Sequence, residues 1–483
     1  MKHLFSLLLA SACTLSAVAQ SVPALVIGDG PKVALQDIVS IKFDAASLIV
    51  SCVDGSVIQQ PLCALTFGTV DPLGIHAVTV PDATASQAYY DPMGRLSSSS
   101  TGFRVSRHGI TLGEPCAVQS SSAYPGVATR AASATALQVQ QQGIDPMIAL
   151  SRVDSLAFSD DLSFLYLYSE GMGNAFVLDK VVGIDFPELS ETVNIEYAGE
   201  AVEGVNPRYF DRVTITADGA HVVVNAVDMA DEVEYVLSGQ SDDGSFKVYS
   251  DYKWQATLQD LMLTNPAGPA INSQTGKKGT IKSPKGTVNT LCDGEHYASS
   301  KEDQKACVFS EGQLIFSGKG TLQVTSLNKH GICSDDYLSF DNGNVTVLTA
   351  ASDAVHAKDS VIVQGCTLTL SPLSDGIDCD GPVFVRKGEN GKPKIAITTT
   401  GDGAKGIKTG GDFVMTNGDV TIDQTGKSEV KDGDTNRVIG IRAAGDILIS
   451  GGKVVINNTA TGGKAMSAGG TIDTTGADVT TTP

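Results

Sequence analysis

Seven aspartates recur in step through the C-terminal half of the chain: Asp335, Asp336, Asp353, Asp359, Asp375, Asp378 and Asp380. If successive turns of chain stack ~4.8 Å apart, some of these carboxylates lie within about 5 Å of one another. Carboxylates that close repel unless a cation sits between them. Calcium takes roughly six to eight oxygen ligands at about 2.3–2.6 Å. The density of aspartates therefore predicts a calcium site at one corner of a stacked repeat. A single Asp is already explained by its preference for turns, so the cation reading rests on at least one pair. No Cys-x-x-Cys or His-rich spacing points to another metal. Candidate bases for elimination chemistry are Arg386, Arg437, Arg442, and Lys358 beside Asp359. No triad or paired acid announces itself at a fixed spacing, so binding ranks above catalysis.

The elements that would position these residues are legible as a repeat. A small residue, an aliphatic anchor, a polar turn and a short alternating strand recur as Gly331-Ile332 with Leu338–Phe340, Ala354-Val355 with Val361–Val363, Gly376-Ile377 with Val383–Val385, Gly406-Ile407 with Phe413–Met415, and Gly440-Ile441 with Ile447–Ile449. Val308 fits before them and Met466 after. The anchors Val308, Ile332, Val355 and Ile377 are 24, 23 and 22 residues apart. Such a period marks a solenoid, whose units bury their apolar sides only by stacking. The expected fold is all-β: a parallel β-helix of about eight rungs over 263–483, with Ile271 as first anchor. Later spacings of 30, 34 and 25 residues leave polar surplus at Arg386–Lys394 and Lys427–Asn436, read as loops leaving a corner.

Upstream, 20–68 and 145–187 read as two copies of one small antiparallel β unit. Ile38–Phe43 matches Val153–Phe158, and Leu62–Phe67 matches Val181–Phe186. Between them, 69–144 is Ser-, Ala- and Gln-rich and reads as a disordered linker. Inside it, Tyr90–Leu96 with Gly102–Val105 resembles the tail motif of secreted proteins that carry a C-terminal sorting signal, here as an internal remnant or small hairpin. Residues 188–262 read as a β-rich lead-in.

Met1-Lys2-His3, an apolar stretch and Ala17-Val18-Ala19 form a signal peptide over 1–19, with cleavage expected before Gln20. Cys13 offers a lipoprotein alternative. No other apolar run reaches the ~18 residues of a membrane span. The chain carries a formal charge of −20, or −21 once Lys2 leaves with the signal. That excludes a basic nucleic-acid surface and suits cation binding. The remaining cysteines read as buried free thiols rather than a disulfide framework.

Tyr235–Gly239, Asp243–Phe246, Tyr252-Lys253-Trp254, Asn265-Pro266, Gly268–Asn272 and the unit Asp375-Gly376-Ile377 are similar to a family of secreted bacterial carbohydrate-binding β-helix proteins. The likeness spans about 190–480. It implies a right-handed, polysaccharide-lyase-like β-helix that binds plant cell-wall polysaccharide with calcium. Departures are His330-Gly331, Ala354-Val355, Lys405-Gly406 and Ile439-Gly440, which lack the family's Asp before Gly. On this reading the partner is a polysaccharide, Tyr337 is the better contact, and Trp254 is a core residue. The alternatives are a pectate-lyase-type enzyme and a structural stalk or adhesin.

Overall fold

The computed structural model describes residues 22–28, 30–43, 47–61, 65–70, 89–90, 96–97, 103–106, 109–112, 135–209, 212–431 and 434–482. The expected signal peptide, Cys13 and most of the 69–144 stretch lie outside these residues. Among the described residues no helix is long and apolar enough to cross a membrane.

The C-terminal unit is a parallel β-helix. Eight rungs of three strands run from Ile271–Ser273, Gly279–Ser283 and Val288–Asp293 to Lys464–Ala468, Ile472–Asp473 and Asp478–Thr482. We call the three faces A, B and C in that order. Face A carries the anchors in one register: Ile271 opposite Val308, then Ile332, Val355, Ile377, Ile407, Ile441 and Met466. Face B stacks Ile281, Phe316, Phe340, Val363, Val385, Met415 and Ile449. Face C stacks Leu291, Val324, Val347, Leu370, Ile397, Ile422 and Ile456. The inward pattern follows from the alternation of each strand, and burial of each such side chain contributes roughly 1.5–3 kcal/mol. Phe316 and Phe340 lie ring on ring at 5.0 Å and 9°.

The small residue before each anchor has a steric cause. A Cβ on Gly376 would lie 2.4 Å from the carbonyl oxygen of Gly406 in the next rung and 2.5 Å from Ile397 on face C. Gly331, Gly406 and Gly440 meet the same obstacles, the next rung's carbonyl and a face C aliphatic. At these four positions a side chain has no room, whereas Ala354 and Cys307 fill the equivalent place before Val355 and Val308.

Parallel stacking begins before 263, within the stretch read as a lead-in. Gly244–Ser250 pairs in parallel with both Ala220–Ala226 and the first face A strand. Trp254–Asn265 spans faces B and C, pairing with Gly279–Ser283 and Val288–Asp293. Trp254 is fully buried, as expected, and its ring occupies the space a side chain at Gly279 would need. Val213–Asp218 runs antiparallel along Ala220–Ala226. The surplus at 427–436 is a hairpin of Glu429–Lys431 with Asp434–Asn436, and the surplus after Arg386 is a turn closed by a Gly388–Gly391 bridge.

The N-terminal unit holds the two copies. Ile38–Phe43 pairs with Val153–Phe158 through Ile41 and Leu156, and Leu65–Val70 pairs with Val181–Asp185. Equivalent strands of the two copies thus meet each other, with Ile41 and Leu156 buried. Within the stretch read as linker, Ala136–Gln141 is a strand, and Tyr89–Tyr90, Leu96–Ser97, Phe103–Ser106 and Gly109–Leu112 form an antiparallel sheet. Among the described residues Cys52, Cys292, Cys307, Cys333, Cys366 and Cys379 are free thiols, and all but Cys292 are buried.

Candidate functional site

Face A presents its outward residues in columns one rung apart. The column just after the anchors reads Asn272, Phe309, Cys333, His356, Asp378, Lys408 and Arg442. The column two before them runs Ala306, His330, Asp353, Asp375, Lys405 and Ile439. Acidic groups therefore occupy the central rungs, with histidines before them and basic groups after them.

The seven aspartates do not share one corner, which corrects the expectation. Asp353 and Asp375 precede face A, Asp378 lies on it, and Asp335, Asp336, Asp359 and Asp380 sit at or beside its far end. The stack of short strands has two corners per face, and a period alone does not distinguish them. Two carboxylate groups form: Asp353, Asp375 and Asp378, and Asp335 with Asp303 and Glu311, each with ligand oxygens within 4.8 Å of one another. Asp336 belongs to neither, since it accepts from Gln313 Nε2 at 2.5 Å and from the Tyr337 N–H. Asp359 and Asp380 are exposed and also stand outside both groups.

Most of these charges already have protein partners. Asp353 Oδ1 accepts the N–H of Asp375 at 2.9 Å, and Asp375 Oδ1 accepts the N–H of Lys405 at 2.6 Å. Each acid thus ties its rung to the next. Lys408 Nζ lies 2.9 Å from Asp378, and Lys305 Nζ lies 2.8 Å from Asp303 and 2.5 Å from Asp335. Burial and the neighbouring Asp353 raise the Asp375 carboxyl to about 6, against the pull of the Lys405 N–H. Burial would raise Asp353 too, but His330 and the Asp375 N–H hold it below the usual carboxylate range.

Two histidines join the group. His330 and His356 stack at 4.7 Å between ring centroids. Burial and then His330 depress His356, against the pull of Asp378 and Asp353. His330 stands two residues before its anchor and His356 one residue after the next. The rung register contains that signal, but a search for short His-x-His spacings misses it.

A second feature, also missed, is the loop 294–305 between faces C and A. Glu302 pins it to the outside of face A by accepting from Lys247 at 2.8 Å and from the Tyr249 hydroxyl. Tyr297 donates to buried Asp293 at 2.5 Å. Lys305 at the end of the loop lies over the Phe309 ring, 5.4 Å from its centre, and Phe309 and Cys333 are both fully buried although they follow inward anchors. Beside the loop opens a polar cleft of about 540 Å³ bounded by His296, Tyr297, Asp303, Lys305, Asn328 and Lys329. Lys329 Nζ sits 5.8 Å from the Tyr297 ring centre. Tyr337 is half-buried rather than freely presented.

A family model described as "Carbohydrate-binding domain-containing protein" matches residues 211–482, which is the stacked region from the Val213–Asp218 strand onward. Among solved structures, one described as the polysaccharide lyase-like protein from C. thermocellum, a gadolinium derivative, is similar. It shares 19% identity at a TM-score of 0.39, over 60% of this chain and 96% of that one. No curated protein matches the chain.

Proposed function

We infer the function from one premise, that the chain belongs to the family of carbohydrate-binding domain-containing proteins: it is an exported protein that binds polysaccharide, of plant cell-wall type, along its β-helix. The observation that carries this reading is the family match over residues 211–482. The cleft beside loop 294–305 is the best-suited surface. Its lining is polar and charged, with Lys305 and Lys329 available to acidic or hydroxyl-rich sugars and Tyr297 offering an aromatic group. Tyr337 remains a second candidate contact. Export rests on the apolar leader ending at Ala17-Val18-Ala19.

Calcium support belongs to the same proposal. The Asp303, Glu311 and Asp335 group supplies hard carboxylate oxygens of the kind calcium takes, and Asp303 also borders the cleft. Lys305 now bridges Asp303 and Asp335, and a calcium ion would replace its ammonium there. A ligand that binds only the folded chain stabilises it by about 2.7 kcal/mol at a hundredfold excess over Kd. The melting temperature should therefore rise in millimolar calcium, and Asp335→Asn should blunt the rise. Identical melting curves in calcium and in chelator would remove calcium from the reading.

The deciding experiment is retention on insoluble cellulose and pectins, with and without chelator. Retention that Tyr297→Ala or Lys329→Ala weakens supports the cleft. Release of unsaturated oligosaccharides from pectate would point to a lyase instead. Failure on every polysaccharide would leave a structural stalk.

A further inference from the structure

We propose that His330, Asp353 and His356 form a binding site for one first-row divalent transition metal of the zinc class, separate from any calcium site. The three residues come from two adjacent rungs, and their ligand atoms lie within 4.8 Å of one another. His330 Nδ1 is 3.1 Å from Asp353 Oδ2, and His356 Nδ1 is 3.9 Å from Asp378 Oδ2. Tetrahedral zinc with bonds of about 2.0–2.1 Å holds its donor atoms roughly 3.3 Å apart. The His330–Asp353 separation already matches that spacing, and the His356 ligand atom lies within 4.8 Å of both.

The state of the two nitrogens points to a ligand. Both Nδ1 atoms are buried, and neither makes a hydrogen bond. His330 Nδ1 faces Asp353 Oδ2 without the direction a hydrogen bond needs, and Asp378 Oδ2 is too far from His356 Nδ1 to make one. An imidazole Nδ1 without its proton aimed at a carboxylate oxygen sets lone pair against lone pair, and an Nδ1–H at this angle leaves a buried proton without an acceptor. Two protonated rings stacked at 4.7 Å repel each other instead. One divalent ion between the nitrogens and Asp353 removes both conflicts.

The donor set chooses the metal. Two imidazoles and one carboxylate suit zinc and its neighbours, whereas calcium takes an all-oxygen shell. Asp378 is the nearest further carboxylate, but Lys408 holds it at 2.9 Å. That leaves three protein ligands and an open fourth position for water or a sugar hydroxyl, the pattern of metal sites that engage a substrate. Asp353 Oδ1 stays on the Asp375 N–H, and that bond fixes the orientation of the carboxylate whose Oδ2 would bind the ion.

The test uses the full chain, freed of metal, titrated with cobalt(II) and followed by equilibrium dialysis and visible absorption. One equivalent should bind per chain, with the absorption of a nitrogen- and oxygen-ligated ion, and zinc should displace it. His330→Gln and His356→Gln should each weaken binding by roughly tenfold or more, while Asp335→Asn should not. Excess calcium should not displace the cobalt. Zinc-dependent stabilisation of the unaltered chain supplies a second reading that does not depend on how either variant folds. No saturable cobalt or zinc binding, unchanged affinity in both histidine variants, or displacement by equimolar calcium would each overturn the proposal. Cobalt binding that persists when polysaccharide retention fails would sink the glycan reading alone.

Discussion

Asp375 is a carboxylate held where its charge is unfavourable. Its folded-state value of about 6 lies above the ordinary 3.8. The unfolded chain therefore loses this proton first as pH rises, and the folded chain loses it last. The sign is that of a raised acid: its unfavourable contribution is absent below the unfolded value, grows between about pH 4 and pH 6, and is complete above. A shift of about two units corresponds to about 3 kcal/mol. Asp375→Asn keeps an oxygen for the Lys405 N–H and has no charge to lose. The melting temperature of the variant relative to the parent should accordingly climb between pH 4 and pH 7. Parallel melting curves across that range would show that Asp375 is solvated after all. The family-type Asp before Gly thus acts as a link between rungs at this position. Where Lys405 replaces it, the ammonium turns to the Gly403 carbonyl and to Asn436 instead.

At the scale of elements, the anchor spacing was sufficient to place all eight rungs in one column, because each anchor is buried and a slip of one residue would turn it outward. The corners were harder to place from sequence. Aspartates at either end of a short strand carry the same turn preference, so seven residues read as one cluster split into two groups and three outliers. The loop 294–305 left no periodic trace, since its residues are polar and its role depends on Glu302 reaching back to Lys247 and Tyr249. That contact gives a separable prediction. The Lys247–Glu302 pair is about one-third exposed on the Glu302 side, and such pairs contribute roughly 0–1 kcal/mol. Glu302→Ala should leave the melting temperature within a few degrees of the parent while reducing retention on polysaccharide several-fold. A variant that binds as well as the parent would show that the loop does not shape the binding surface.

Across the stacked unit, each rung contacts only its neighbours, so stability is close to a sum of rung and interface contributions. Position along the stack should then decide how severe the same substitution is. Val355 is fully buried, with Ile332 on one side and Ile377 on the other. Met466, in the same column, is only half-buried and pairs with Ile441 in the last described rung. An aspartate at Val355 meets apolar side chains on both sides, with no anchor-column partner for its charge. Burying an unpaired charge costs more than a typical chain can lose, so Val355→Asp should abolish the cooperative melting of the stack. Met466→Asp keeps access to water and interrupts one interface, and should lower the midpoint by only a few degrees. Circular dichroism melts of the two variants decide the matter. Equal losses would mean that the unit melts as one indivisible block, and a mild Val355→Asp would mean that the anchor column is not what holds adjacent rungs together.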